Sequence, residues 1–331
     1  MIRVGILGAT GMVGQQLVRL LEGHPWFRVT ALAASERSQG RPYAEACGWR
    51  MTTAMPAWAV AMPVVPPAPP LDCDIVLSGL PADSARVAEP AFVAAGVPVI
   101  TNSSPHRMDQ DVPLVVPEVN ADAVSAVKGR RGFIVANPNC TAAGIAVALA
   151  PLHVAFGVEE VLAATMQALS GAGFPGVASL DVTDNVLPYI AGEEEKIPRE
   201  LNKILGASMT MSVQCHRVSV RDGHLAALWI KCAQQPSVGA VKDALRSFRA
   251  SAEVAALPSA PAESIVVRDE PDRPQPVLDR DAGNGMAVTV GRIMTDGAWL
   301  RLLVLSHNTV RGAAGAAILN AELLKARGLI G

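Results

Sequence analysis

The chain is poor in the features that mark several large classes of protein. Aromatic residues make up only 4% of its 331 residues, and 28 basic residues are balanced by 30 acidic ones, for a formal net charge of -2. No basic run occurs, so the sequence offers neither the positive surface that nucleic acid requires nor the aromatic platforms on which single strands stack. We therefore expect no nucleic-acid partner.

Membrane, disulfide and metal signals are also missing. No uninterrupted apolar run approaches the roughly 20 residues that cross a bilayer, and the first residues have the pattern of a strand and not of a signal peptide. The five cysteines are odd in number, scattered and without a CxxC pair, which favours reduced thiols. The sequence predicts a cytoplasmic protein with no membrane partner and no metal.

Half of the residues are hydrophobic, and along the first 140 residues they form short β-branched runs separated by helical spacing. Strands that alternate with helices are typical of a doubly wound parallel sheet. The predicted strands are 2–7, 28–34, 75–80, 97–101 and 133–137. Prolines crowd residues 55–71, which predicts a surface loop or a sheet edge.

The pattern changes after residue 140, where a helical run is followed mainly by strands. The predicted strands are 158–167, 212–220, 225–232, 286–293 and 299–305. Asp222-Gly223 stands between two of them and predicts a hairpin, so we expect an antiparallel or mixed sheet. Residues 254–277 are rich in proline and predict a long loop. The chain ends in a predicted helix at 312–326.

A glycine loop follows the first predicted strand and opens the first helix. Its spacing is G-x-x-G-x-x-G, and glycine there lets the backbone approach a pyrophosphate at the positive end of the helix. We predict that this loop binds a dinucleotide through Gly8, Thr10, Gly11, Met12, Val13 and Gly14.

The end of the second strand bears on the choice of dinucleotide. Ser35, Arg37 and Ser38 suit the 2′-phosphate of NADP, with Arg37 as its positive partner. Glu36 stands among them and is instead suited to a ribose hydroxyl of NAD. We favour NADP on this pattern, and NAD stays open.

A cysteine in turn-forming sequence is the strongest candidate for a nucleophile. Cys140 lies in Asn137-Pro138-Asn139-Cys140-Thr141, after a strand and before an apolar helical run, and a helix N-terminus lowers the pKa of a thiol. Such a thiolate needs an acid or base. The chain has six histidines, and spacing alone does not choose between candidates such as His216 and His224.

Several segments, in order along nearly the whole chain, resemble the aspartate-semialdehyde dehydrogenases. The Asn137–Thr141 loop is one of them. The others are Met166-Gln167-Ala168 with Ser170-Gly171-Ala172-Gly173, Glu193-Glu194-Glu195-Lys196, Cys215-x-Arg217-Val218 followed by His224, and Asn308-Thr309-Val310-Arg311-Gly312.

The resemblance implies a role for each matching residue. Cys140 would attack the carbonyl, His224 would act as acid and base, and Gln167 would position the thioacyl group. The implied substrate ligands are Arg217 for the carboxylate, Arg107 for the phosphate, Glu200 for the amine and Lys203 for the phosphate. Glu193 and Lys196 form a competing E-x-x-K pair. The residues expected near the nicotinamide are Ser170, Gly171 and Asn308.

The resemblance also implies the reaction and the architecture. NADPH would reduce L-aspartyl-4-phosphate to L-aspartate 4-semialdehyde through a thioacyl group on Cys140, releasing phosphate, a step in the biosynthesis of lysine, threonine, methionine and diaminopimelate. The expected fold is α/β: a Rossmann-type doubly wound parallel sheet domain (1–138 with 309–331) plus an α+β catalytic and dimerisation domain with a mixed sheet (139–308). A homodimer or homotetramer is expected.

Three alternatives stay open. A malonyl-CoA reductase would use the same thiolate and hydride chemistry, and an acid facing the substrate amine is the feature that separates it from the aspartyl enzyme. N-acetyl-glutamyl-phosphate reductase shares the logic but usually has a different cysteine loop. A non-catalytic NADP-sensing protein would keep the glycine loop and would have no need for a reactive Cys140.

Overall fold

The computed structural model describes all 331 residues, and its strands form two six-stranded sheets. The first sheet is entirely parallel, with the order β3-β2-β1-β4-β5-β6. Its strands are β1 (Ile2–Leu7), β2 (Phe27–Ala33), β3 (Val64–Val65), β4 (Ile75–Ser78), β5 (Val99–Thr101) and β6 (Ile134–Ala136). This is the strand order of a Rossmann fold, and it confirms the predicted class.

Helices connect these strands and cover the sheet. They are α1 (Met12–Leu20), α2 (Tyr43–Ala46), α3 (Ala57–Val60), α4 (Ala82–Ala94) and α5 (Pro117–Asn120). The proline-rich residues 55–71 contain the one-turn helix α3 and the short strand β3, which lies at the sheet edge as expected for a segment with so few N–H donors.

The second sheet is mixed, with the order β10-β11-β12-β9-β7-β8. Its strands are β7 (Val158–Gln167), β8 (Thr210–Arg217), β9 (His224–Cys232), β10 (Ile265–Val267), β11 (Val288–Asp296) and β12 (Trp299–Ser306). Its helices are α7 (Ser179–Val182), α8 (Glu193–Leu205), α9 (Val238–Ser247), α10 (Ala252–Ala255) and α11 (Pro276–Asp279).

Two expectations for this region were wrong. The Asp222-Gly223 pair does not form a hairpin, because β7 lies between β8 and β9 and pairs with both of them. The connecting segment instead crosses the end of β7, where the N–H groups of Leu169 and Ser170 donate to Val220 and Arg221. Residues 254–277 are also not one long loop, since they contain β10, paired with β11.

Two further helices, α6 (Cys140–Phe156) and α12 (Gly315–Ala326), join the two halves of the fold. Helix α6 is apolar on all sides and packs on α8, α9 and four strands of the second sheet. Helix α12 returns to the first sheet, where it contacts α1 and β5. A π-helical turn, Val310–Ala314, precedes α12 where a single longer helix was expected. No helix of the protein has both the length and the apolar character that a membrane span needs.

Candidate active site

Cys140 is the first residue of α6. Asn139 caps the helix, because its Oδ1 accepts hydrogen bonds from the N–H groups of Thr141 (2.9 Å) and Ala142 (3.2 Å), as asparagine commonly does at this position. Cys140 is half-buried, and no cysteine of the protein forms a disulfide. The cap therefore fixes the start of the helix and presents the sulfur at its positive end.

The ends of three neighbouring strands bring the other polar groups to the sulfur. His224 is the first residue of β9, and its Nε2 lies 3.2 Å from Sγ of Cys140. Gln167 and Arg217 end β7 and β8 as register partners. Nη1 of Arg217 donates to the carbonyl of Ala168 at 2.7 Å, and its side chain packs against the backbone of Gly171. The mixed topology thus brings residues that are far apart in sequence to one end of three adjacent strands.

A cavity of about 280 Å³ opens beside Cys140, between the two halves of the fold. One wall comes from the first sheet and its loops, and the other from the segment that follows β7, the first turn of α8 and the residues that follow β12. Its polar and charged lining comprises Asn102, Ser103, Ser104, Arg107, Asn139, Ser170, Glu193, Lys196, Asn308 and Thr309. Both signs of charge face this cavity, so it suits a ligand that carries both an anionic and a cationic group.

The two E-x-x-K pairs of α8 have different environments. Glu193 and Lys196 line the cavity, and the carboxylate of Glu193 accepts two hydrogen bonds from Nδ2 of Asn139, at 2.7 and 2.8 Å. Glu193 also lies 3.4 Å from Nε2 of Gln167. This pair is therefore placed to meet a ligand beside Cys140.

Glu200 and Lys203 do not line the cavity, and their contact with substrate stays a prediction. Glu200 is buried and accepts hydrogen bonds from Nη1 of Arg107 at 3.0 Å and from the N–H of Asn139. The ammonium of Lys203 donates to the carbonyls of Arg107, Asp109 and Val112, at 2.8–3.0 Å. Three acceptors use all three ammonium protons, so both side chains hold the loop that carries Arg107.

Arg107 itself lines the cavity, while its second amino group, Nη2, donates to the carbonyl of Asn102 at 2.6 Å. Gln167 is buried behind Glu193, and its amide contacts Thr165 at 3.4 Å as well as the Glu193 carboxylate. Gln167 therefore reaches the cavity only through its neighbours.

Burial dominates the electrostatics of the cysteine and the histidine. It raises the pKa of the Cys140 thiol to about 12; Glu193 raises this pKa further, and Arg107 and Arg217 oppose the rise. Burial also lowers the pKa of His224 to about 3, with the positive field of Arg217 adding to the effect. The expectation that the helix N-terminus would lower the pKa of Cys140 is thus wrong for the free protein, because desolvation of the thiolate outweighs the helix dipole.

The glycine loop fits a dinucleotide. A Cβ on Gly14 would lie 2.3 Å from the carbonyl oxygen of Gly8, so only glycine allows the turn to close on the helix. The N–H groups of Met12 and Val13, in the first turn of α1, have no acceptor in the protein. These two N–H groups are the donors that a pyrophosphate would use. Thr10 belongs to the same turn, and its carbonyl accepts from Gln15.

The loop after β2 carries the residues expected at the 2′-phosphate. Ser35 and Arg37 are exposed and Ser38 is buried, with Ser35 opening a short 3-10 turn. Arg37 has no salt-bridge partner and leaves its guanidinium free for an anion. Glu36 is exposed in the same turn.

Asn308 lies at the junction of the two halves of the fold. Its Oδ1 accepts from the N–H of Gly223 at 2.9 Å, and its Nδ2 donates to Oγ of Ser170 at 2.8 Å. The same amide thus ties Ser170 to the residue that precedes His224. Asn308, Ser170 and Gly171 all line the cavity.

The structure adds two residues whose roles the motifs did not reveal. Asn139 links the helix cap to Glu193, and its place before an apolar helical run was the available signal. Gly312 faces the nucleophile, since a Cβ there would lie 2.6 Å from Cβ of Cys140. That close approach has no local sequence signal, because it joins residues that are remote in the chain.

A Rossmann-type sheet whose glycine loop faces a thiol–imidazole pair across a cleft is typical of oxidoreductases that work through a covalent cysteine intermediate. Family models agree with this class. Residues 3–127 match the semialdehyde dehydrogenase NAD binding domain, and residues 149–311 match the semialdehyde dehydrogenase dimerisation domain.

Individual relatives narrow the class. The chain is 50% identical to the aspartate-semialdehyde dehydrogenase of Archaeoglobus fulgidus, over 97% of each chain. The crystal structure of the Candida albicans aspartate semialdehyde dehydrogenase with NADP superposes with a TM-score of 0.92 at 42% identity, over 100% of both chains. The Vibrio cholerae aspartate semialdehyde dehydrogenase II, complexed with ASA, gives 0.81 at 29% identity over 98% of both. The chain belongs to the aspartate-semialdehyde dehydrogenase family, which confirms the predicted family and fold.

Proposed function

We propose that the protein is an NADP-dependent aspartate-semialdehyde dehydrogenase, which reduces L-aspartyl-4-phosphate to L-aspartate 4-semialdehyde and phosphate. The observation that carries the proposal is the cavity beside Cys140. Side chains of both charges line this cavity, and next to it the Cys140 sulfur lies 3.2 Å from the imidazole of His224. The Archaeoglobus and Candida relatives, which carry this name, support the same activity.

The charges match the substrate group by group. The carboxylate of Glu193 is suited to the substrate ammonium, and the cations Arg107 and Lys196 are suited to the phosphate. Arg217, beside the sulfur and at the end of β8, is suited to the carboxylate, for which a planar guanidinium provides two parallel donors. We assign the amine to Glu193 and not to Glu200, because Glu193 lines the cavity whereas Glu200 does not and is bonded to Arg107 and Asn139.

Covalent chemistry takes place on Cys140. The thiolate attacks the acyl phosphate carbon, the C–O bond to phosphate breaks, and a thioester remains. NADPH, when bound, supplies the hydride that reduces the thioester carbonyl. The tetrahedral group then collapses, the C–S bond breaks, and the aldehyde leaves. His224, whose Nε2 lies 3.2 Å from the sulfur, is placed to take the thiol proton and to return it when the C–S bond breaks. Gln167 supports Glu193 from behind.

The cofactor proposal depends on the glycine loop and the loop after β2. Unused N–H groups of Met12 and Val13 suit the pyrophosphate, while Ser35, Arg37 and Ser38 suit a 2′-phosphate. Ser170, Gly171 and Asn308 form the wall of the cavity that the nicotinamide would share with the substrate. The Candida relative, solved with NADP, supports this choice over NAD.

We propose the same division of labour for the two parts of the chain. Residues 1–138 with 309–331 hold the dinucleotide, and residues 139–308 hold the substrate and form a homodimer or homotetramer, as the match to a dimerisation domain supports. The five free cysteines suit a reducing compartment such as the cytoplasm.

A parallel assay with two substrates tests the proposal. We expect NADP reduction with aspartate semialdehyde plus phosphate, and no NADPH oxidation with malonyl-CoA, because malonyl-CoA has no ammonium group for Glu193. A preference for malonyl-CoA would overturn the substrate and leave the fold unaffected. Size-exclusion chromatography with light scattering, run on the same sample, tests the oligomer.

A further inference from the structure

A buried carboxyl group lies behind the loop that carries Arg107. Glu89, in the middle of α4, is fully buried, and its Oε1 accepts a hydrogen bond from the hydroxyl of Thr101 at 2.6 Å. The same hydroxyl oxygen accepts from the N–H of Ser103 at 2.9 Å. Through one hydroxyl, Glu89 therefore holds the start of the loop from which Ser103 and Arg107 line the active-site cavity.

The other oxygen of this carboxyl faces His106 of the same loop. Oε2 of Glu89 lies 3.9 Å from Nε2 of His106, and both atoms are buried without a hydrogen-bond partner. On the far side of the ring, Nδ1 lies 2.9 Å from Oδ2 of Asp109, which is an acceptor. A proton on Nδ1 satisfies that contact, and Nε2 of the neutral ring is then an acceptor too. An ionised Glu89 thus faces His106 acceptor to acceptor.

A single proton between the two atoms removes this mismatch. On Oε2 it makes a carboxylic acid that donates to Nε2, and on Nε2 it makes an imidazolium that donates to the carboxylate. A charge-assisted N–H···O bond is about 2.7 to 2.9 Å long, so the ring and the carboxyl approach by about 1 Å when the proton binds. The side chain of His106 is 16% exposed, which gives the proton a path from solvent.

The surroundings favour uptake of this proton. Burial raises the pKa of Glu89, while neighbouring hydroxyls, first that of Thr101, and the ring of His106 oppose the rise. The other charged groups that face the pair are Asp109, from the loop itself, and Lys203, from α8, whose ammonium donates to the carbonyl of Asp109 at 2.9 Å. Their opposite charges leave the carboxyl of Glu89 as the unbalanced one.

We propose that Glu89 and His106 are a positioning pair for the phosphate site, and that the pair takes up one proton from solvent when phosphate binds beside Arg107. Without the proton, the pair carries one negative charge behind a loop that receives an anion. With the proton, the pair is neutral and holds the loop against α4. Phosphate therefore binds more tightly to the protonated form, and bound phosphate in turn favours the proton. The inference rests on the proposed function for the phosphate contact, but the state of the pair does not depend on it.

Glu89→Gln tests the pair because it imitates the protonated form. Its amide oxygen can accept from Thr101 while its amide nitrogen donates to Nε2 of His106. The KM for phosphate is measured with aspartate semialdehyde and NADP across about pH 5 to 9, which spans an ordinary histidine and a strongly raised buried carboxyl. We expect equal values at low pH, and at high pH a wild-type KM at least about fivefold above that of Glu89→Gln.

The ratio of the two KM values is the decisive quantity, because the ionisation of phosphate itself is the same for both proteins and cancels. A ratio that stays constant with pH would overturn the proposal. Asp111→Asn is the matched control, since it removes an exposed carboxylate of the same loop that pairs with Arg130. It should keep the wild-type dependence on pH, and a loss of that dependence would contradict the specific role of Glu89. The KM for NADP should stay within about twofold of the wild-type value in both variants.

NMR of the wild-type protein, labelled with ¹⁵N-histidine, tests the pair without phosphate. His106→Gln assigns the signals by their loss. We expect one titration at Nε2 of His106, with the midpoint seen for the KM, and a proton on Nδ1 throughout. No titration of Nε2 in this range, or an unprotonated Nδ1, would overturn the proposal even if Glu89→Gln does not fold. The expected titration in a wild type that shows no phosphate-dependent NADP reduction would count against the proposed function and support the pair.

Discussion

The two glutamates of α8 provide a sharp test, because they have different surroundings at the same spacing from a lysine. In the wild type, the two carboxylate oxygens of Glu200 accept separate hydrogen bonds from Nη1 of Arg107 and from the N–H of Asn139. Glu200→Gln leaves only one amide oxygen to accept from both donors. The side chains of Arg107 and Glu200 are only 9% and 2% exposed. The variant therefore leaves a buried guanidinium without its charge partner.

The cost of this change follows from burial. Removing one partner of a buried ion pair destabilises a protein by about 3 to 5 kcal/mol. Since about 1 kcal/mol shifts the melting temperature of a domain of this size by about 2 to 4 °C, Glu200→Gln should lower it by about 6 to 20 °C. Glu193→Gln should change the melting temperature little, because Glu193 is half-buried and a glutamine can keep the bond to Asn139.

Activity should respond in the reverse order. Glu193→Gln removes the charge that we assign to the substrate ammonium, a contact worth about 1.5 to 3 kcal/mol, so kcat/KM for aspartate semialdehyde should fall about 10- to 150-fold. Thermal melts and initial rates at saturating NADP and phosphate, on both variants, measure the two effects. Normal kcat/KM in Glu193→Gln, together with an unchanged melting temperature in Glu200→Gln, would refute the assignment.

Three further changes have distinct expected results. Burial raises the pKa of Cys140 to about 12, so the thiol is neutral at pH 7. The rate of its alkylation by iodoacetamide in the free protein should therefore rise about tenfold per pH unit up to about pH 9. A rate that reaches a plateau below neutral pH would mean a preformed thiolate. Arg37→Ala should raise KM for NADP about tenfold or more while leaving KM for NAD unchanged, and equal effects on both in initial-rate assays would remove the 2′-phosphate contact. Gly312→Ala places a Cβ 2.6 Å from Cβ of Cys140, so kcat should fall. The affinity for NADP, measured by calorimetry, should stay within about twofold of the wild-type value. An unchanged kcat would show that the start of α6 can shift to make room.

Much of the fold was predictable because the buried strands of a parallel sheet are continuous apolar runs. The bounds of β1 and β7 agree with the sequence pattern to the residue. The prediction of a hairpin at Asp222-Gly223 was wrong for a reason that no local pattern reveals. The strand that separates β8 from β9 in the sheet, β7, lies about 50 residues earlier in the chain. The short strand β10 was not predicted, because it has only three paired residues and the surrounding sequence is rich in proline, which favours a loop.

The ambiguity between the two E-x-x-K pairs has an equally simple cause. Glu193 and Glu200 are seven residues apart, as are Lys196 and Lys203, so each pair of like residues lies on one face of α8, about 10 Å apart along its axis. Periodicity cannot separate positions that share a face. Only the docking of α8 against α6 and the Arg107 loop decides which pair reaches the cavity.

The covalent role of Cys140 is the central claim, and acid quench after mixing with aspartate semialdehyde and NADP, without phosphate, tests it most directly. Peptide mass spectrometry should find an aspartyl group on the peptide that contains Cys140, with one NADPH formed per occupied site. Cys140→Ser should bind NADP normally and show neither signal. Rapid NADPH formation with no adduct on that peptide, or wild-type turnover in Cys140→Ser, would contradict the mechanism.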